Sequence, residues 1–184
     1  MTLPATVHRL HVVLSDVDRA VYETLDLRLA RHPSETMRHL LARALAYCLC
    51  YEEGIAFTRG LAEPDEPALW VRDLTGEITA WIDVGAPSAE RLHRAAKAVP
   101  RVVVVTSHDL DLLRREARSR TVHRLEAIEV YALDGRFLDA VAEVTGRKAS
   151  WELVTTGGRL YLTAGGQTLE GPLTRTSLVG DADA

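Results

Sequence analysis

Near the N-terminus the chain alternates. TVHRLHVVL (6–14) and YETLDLRLA (22–30) both read as extended segments. In the second, Leu25, Leu27 and Leu29 fall on one face and Asp26, Arg28 and Ala30 on the other. The turn-rich SDVDR joins them, so the pattern predicts an N-terminal β-hairpin. The period then changes. Met37, Leu40, Leu41, Ala44, Leu45 and Cys48 follow at i, i+3, i+4, i+7, i+8 and i+11, the single apolar stripe of a helix. Pro33-Ser34 offers a cap for it, Glu35 falls in its first turn and Gly54 marks its end.

IAFTRGL (55–61) reads as a strand and AEPDEP (62–67) as an acidic, proline-punctuated loop. ALWVRDL and EITAWIDVG predict two strands around Thr75-Gly76. Pro87-Ser88 opens a second helix with Leu92, Ala95, Ala96 and Val99 as its stripe, ended by Pro100. Val102 to Val105 form a β-branched run, the pattern of a strand buried on both faces. Residues 109–120 read as a charged helix, 127–133 as a strand and 134–143 as a short helix. Gly157-Gly158 and Gly165-Gly166 sit between β-rich stretches, and such pairs permit the positive φ of tight hairpins. They predict a three-stranded meander over 149–173, followed by a small, polar tail (174–184) expected to fray. The whole is an α/β fold, a mixed sheet flanked by helices, with an N-terminal hairpin and a C-terminal antiparallel meander. No linker divides it, so residues 1–184 are expected to form one domain.

Composition narrows the possible roles. Among 184 residues, 22 are basic and 26 acidic, for a net charge of −4. That excludes a generally basic, nucleic-acid-coating protein but not a local basic cleft. No apolar run approaches the roughly 18–20 residues of a membrane span. The first ten residues lack the charged-then-apolar order of a signal peptide. Cys48 and Cys50 project about 200° apart on a helix and cannot pair with each other. A cytoplasmic protein without disulfides is expected.

His8 and His11, three apart on a strand, point to opposite faces and make no zinc site. GxxxxGK[ST], GxGxxG and GxSxG are all absent. The informative stretch is DEPALWVRDLTGEITAWIDVGAP (65–87). It puts Asp65 and Glu66 before one strand and Asp83 inside the next, on the face shared by Trp81 and Gly85. An aspartate in an apolar strand is costly unless it is paired or bound to a cation. Carboxylates from adjacent strands could form an oxygen-rich Mg²⁺ site from Asp65, Glu66 and Asp83. Equally, Asp83 could cap the following helix or pair with an arginine. Arg31, His32 and Ser34 precede the first helix, where an anion could sit, or Ser34 could simply cap it. Arg59 could face the acidic cluster in an arginine–carboxylate pair. Trp70, Trp81 and Trp151 suit sheet packing. Tyr47 and Tyr51 suit the surface of the first helix.

RHPSET (31–36), FTRGL (57–61), DEP (65–67), Trp70, Gly76 and WIDVGAP (81–87) together resemble the YaeQ family, over roughly residues 1–173. The resemblance implies a restriction-endonuclease-like core related to the PD-(D/E)xK nucleases; it carries no activity of its own. Under that pattern Asp83 stands at the D/E position, Asp65 or Glu66 at the earlier acid, and Glu35 matches the helix glutamate by order. Gly85 occupies the lysine position, and the chain has only two lysines, Lys97 and Lys148. Arg91 or Arg94 on the following helix would have to replace it; Arg91 lies at the edge of the apolar stripe, while Arg94 points to solvent.

Two functions compete. One is a Mg²⁺-dependent phosphodiesterase acting on nucleic acid, with the metal on Asp83 and Glu66 or Asp65 and with Arg91 or Arg94 as electrostatic stabiliser. The other is a catalytically silent, nuclease-fold binding or regulatory module.

Overall fold

Alternating apolar residues make the long N-terminal strands, and periodic ones the helices. In chain order the elements are β1 (Thr6–Asp16), β2 (Val21–Arg31), α1 (Met37–Leu49), β3 (Ile55–Phe57), β4 (Leu69–Arg72) and β5 (Ile78–Val84). Then come α2 (Ala89–Ala98), β6 (Arg101–Thr106), α3 (Leu110–Arg118), β7 (Glu129–Leu133) and α4 (Gly135–Val144). The meander is β8 (Lys148–Thr156), β9 (Arg159–Ala164) and β10 (Gln167–Ser177). This computed structural model describes residues 4–59 and 62–180. No helix among them is long and apolar enough to cross a membrane. The fold is α/β, and the chain divides into two units, Met1–Leu49 with Leu133–Leu173, and Cys50–Ala132 with Thr174–Ala184.

In the first unit the strand order is β2-β1-β8-β9-β10. β1 and β2 form an antiparallel hairpin from Thr6↔Arg31 to Asp16↔Val21. β8 joins β1 in parallel, Arg9 beside Lys148, and β9 and β10 continue antiparallel. Leu10, Val12, Leu14, Leu25, Leu27 and Leu29 are buried, while Arg9, His11, Asp26 and Arg28 alternate with them on the exposed face. α1 packs against β2 and α4. Gly157, Gly158, Gly165 and Gly166 all have positive φ, as the two tight turns require.

The second unit orders its strands β7-β6-β5-β4-β3. β3, β4 and β5 are antiparallel. β5, β6 and β7 are parallel and linked through α2 and α3. Val102 to Val105 lie on β6, an interior strand between β5 and β7, and are all buried, as the β-branched run predicted. Leu92, Ala96, Leu113, Val104 and Val130 join one core cluster.

Several boundaries differ from the expectation. α1 ends at Leu49, so Cys50 and Tyr51 lie beyond it. Gly54 does not end the helix: at φ +92° it carries the chain into β3, with the Arg72 carbonyl 1.9 Å from where a Cβ would stand. Thr36, not Ser34, caps α1, its Oγ1 accepting from the His39 N–H at 3.1 Å. Ser34 instead lies 2.6 Å from His32 Nδ1. Glu35 therefore precedes the helix instead of occupying its first turn. β3 stops at Phe57, and Gly60 and Leu61 of the FTRGL motif lie outside the described residues. Past Leu173, β10 continues to Ser177 and Leu178 is fully buried in the second unit's core; residues 181–184 of the tail lie outside the described residues.

Candidate functional site

β5 delivers Asp83 near its C-terminal end, and the chain then turns through Gly85 (φ +111°) and Pro87 into α2. Ser88 caps that helix by accepting the Arg91 N–H at 3.2 Å. The cap fixes Arg91 in the first turn, and its side chain returns over β5. Nε donates to Asp83 Oδ2 at 2.9 Å and Nη2 to Oδ1 at 2.8 Å, a bidentate pair. Trp81 Nε1 also donates to Oδ2, at 3.0 Å. The same guanidinium donates to the Glu66 carbonyl at 2.6 Å and to the Pro64 carbonyl. It also lies 5.5 Å from the Trp81 ring centre. Asp83 is only 4% exposed, so these partners replace the water it lost.

The other acids are used elsewhere. Glu66 turns its carboxylate to Arg59, accepting from the backbone N–H and Nη2, each at 3.3 Å. Arg59 also donates to Glu63 at 3.0 Å. Asp65 lies at the surface, 3.5 Å from Arg94 Nη1. A pocket of about 240 Å³ opens beside this group, lined by Asp65, Trp81, Arg91 and Arg94 with Ala95 and Ala98.

Glu35 belongs to the first unit. It is 3% exposed, and its carboxylate accepts from Arg43 Nε at 2.8 Å, Arg43 Nη2 at 3.0 Å and the His32 N–H at 3.3 Å. His39 Nδ1 lies 2.7 Å away. Burial alone would push this carboxyl up; the bonds from His39 and Arg43 outweigh it and hold the group below the usual carboxylate range.

Of the six residues singled out in the sequence, the structure joins Asp83 to Arg91, and Glu66 reaches them through its main chain. Asp65 and Arg94 meet at the surface, and Glu35 is enclosed by partners of its own. The three acids proposed for a magnesium ion each face an arginine: both Asp83 oxygens accept from Arg91, Glu66 faces Arg59 and Asp65 faces Arg94. Among the described residues no three His, Cys, Asp or Glu side chains gather as a metal-binding group. The partner role of Arg43 was missed in the sequence, although an arginine between Ala42 and Ala44 on the apolar helix was a signal.

The YaeQ protein family matches residues 1–172. The chain belongs to the YaeQ family. It is 31% identical over 176 residues to the uncharacterised YaeQ protein of Escherichia coli K12, covering 95% of this chain and 97% of the relative. The Salmonella typhi protein is 30% identical over the same span. Crystal structures of YaeQ proteins from Xanthomonas axonopodis pv. citri and Pseudomonas syringae superpose with TM-scores of 0.84 and 0.84, each at 30% identity. They cover 94% and 93% of this chain, and 98% and 95% of their own.

Proposed function

We propose that this YaeQ-family chain is a catalytically silent binding or regulatory module with a restriction-endonuclease-like core of the PD-(D/E)xK type. One observation carries the reading: the Arg91 guanidinium takes both oxygens of Asp83, the acid such a nuclease would give to its metal. A divalent ion bound through those two oxygens would have to compete with two charge-assisted hydrogen bonds from Arg91. Gly85 in the lysine position removes the other expected participant, and an arginine stays protonated and is no general base.

The competing reading, a Mg²⁺-dependent phosphodiesterase, draws support from the 240 Å³ pocket where Arg91 and Arg94 meet. There the two arginines would face a scissile phosphate. Thermal unfolding with Mg²⁺ or Mn²⁺ separates the readings, because an ion bound only to the folded state must raise the melting temperature. A silent module shows no metal-dependent rise and leaves single- and double-stranded nucleic acid intact. A rise that disappears in Asp83→Asn, together with cleavage lost in the same variant, would overturn it.

A further inference from the structure

The exposed face of the first unit's sheet carries a second charged group, unlike the first in having no internal partners. In the strand register Arg28 of β2 stands beside Arg9 of β1, and Arg9 beside Lys148 of β8. Three cations thus lie in one row across three hydrogen-bonded strands, and all three are exposed. Strands are about 4.8 Å apart, so the row spans about 10 Å. Like charges directly opposite one another on adjacent strands destabilise a sheet. Among the described residues, no carboxylate forms an ion pair with Arg9, Arg28 or Lys148.

The next row along the strands is Asp26, His11 and Ser150, with His11 Nδ1 2.7 Å from Asp26 Oδ1. The one after it holds Thr24, Val13 and Glu152. A polyanion running along the strands would therefore meet Asp26 and Glu152 within two rows, whereas one lying across them meets only cations. The row borders a shallow, open depression of about 560 Å³, which His11, Asp26 and Ser150 also line.

We propose that this row binds a small ligand carrying a linear chain of phosphate groups, laid across β2, β1 and β8, with Arg9 at its centre. Guanidinium forks match phosphate oxygens, and Lys148 adds a compact third charge. The ligand relieves the repulsion that the bare face stores. The confinement of the cations to one row selects a short oligophosphate over a nucleic-acid strand. The inference rests on the binding-module reading and names a ligand class for it.

The test is calorimetric titration of the full chain with inorganic tripolyphosphate, alongside orthophosphate and a 20-mer single-stranded DNA. Tripolyphosphate is expected to bind at least tenfold more tightly than orthophosphate, with affinity falling steeply as salt rises. Arg9→Gln, Arg28→Gln and Lys148→Gln should each weaken binding about tenfold, the loss of one charge-assisted hydrogen bond. These residues are exposed, so melting temperatures that are unchanged or slightly raised should show that the variants fold. No tripolyphosphate binding, or binding that survives the triple Gln variant, overturns the inference. It leaves the Asp83–Arg91 reading standing, since that rests on the metal titration. DNA that binds more tightly than tripolyphosphate and competes for the same residues also overturns it, in favour of a nucleic-acid track.

Discussion

Each unit buries a carboxylate and answers it with an arginine eight residues later: Glu35 with Arg43, and Asp83 with Arg91. The surroundings differ. Glu35 and Arg43 are 3% and 4% exposed, and Glu35 also meets His39 and the His32 N–H. The Arg91 side chain is 23% exposed and borders an open pocket. Glu35 thus ties β2 to α1 in a closed knot, with Arg43 also donating to the Ala30 carbonyl at 2.9 Å. Asp83 and Arg91 make the same bond at the rim of a cavity. A buried ion pair is therefore no mark of a reactive site by itself; what separates the two is access to the cation.

The comparison can be broken at the cations. Arg43→Met strands Glu35 in the core and should cost about 3–5 kcal/mol in urea unfolding, since no water can reach the carboxylate. Adding Glu35→Gln should recover part of the loss. Arg91→Met should cost less, about 3 kcal/mol at most, because solvent entering from the pocket can take over some of Arg91's hydrogen bonds to Asp83. If Arg91→Met costs as much as Arg43→Met, exposure of the cation is not what distinguishes the two pairs.

Acid provides a milder probe of the first unit. His8 is 4% exposed, and neither ring nitrogen meets a hydrogen-bond partner at normal geometry. Burial and the charges of Arg31 and Arg147 hold its pKa below the ordinary imidazole value, against the opposing pull of the Gly146 carbonyl and Glu35. The unfolded chain therefore takes up this proton first, and stability should fall as pH drops below about 6.5. Glu35, lowered in the fold, contributes stability that is present above the unfolded carboxyl pKa and lost as pH falls through its folded value. Melting temperatures from pH 7 to pH 3 should show both limbs, and His8→Met should remove the upper one.

The smallest effect belongs to the exposed sheet face. Arg9→Gln relieves repulsion from Arg28 and Lys148 and should leave stability unchanged or raise it by about 0.2–1 kcal/mol. A clear loss in chemical unfolding would show that Arg9 has a packing role in the free protein.

The elements set by local patterning were legible. The leucine alternation of 22–30 became β2, Val102 to Val105 became an interior, fully buried strand of the second unit, and Ser88 capped α2 where Pro87 announced it. The candidate site was legible in half. Asp83 was recognisable as an acid needing a partner, and an arginine pair was one of its open alternatives. Which arginine, and that Asp65 and Glu66 would turn to Arg94 and Arg59, depends on how a loop folds back. Ser34 was misleading because Thr36, two residues on, competes for the same cap; only the geometry of the chain leaving β2 selects between them.

The sequence by itself determined where strands and helices form, because side-chain period and turn chemistry act over a few residues. It also determined that Asp83 would need compensation, whereas Glu35 read as an exposed first-turn acid and only the fold buried it. Tertiary structure decided which cations supply it. It decided too that Arg28, Arg9 and Lys148, distant along the chain, share one row, because strand register brings together charges that no local pattern connects.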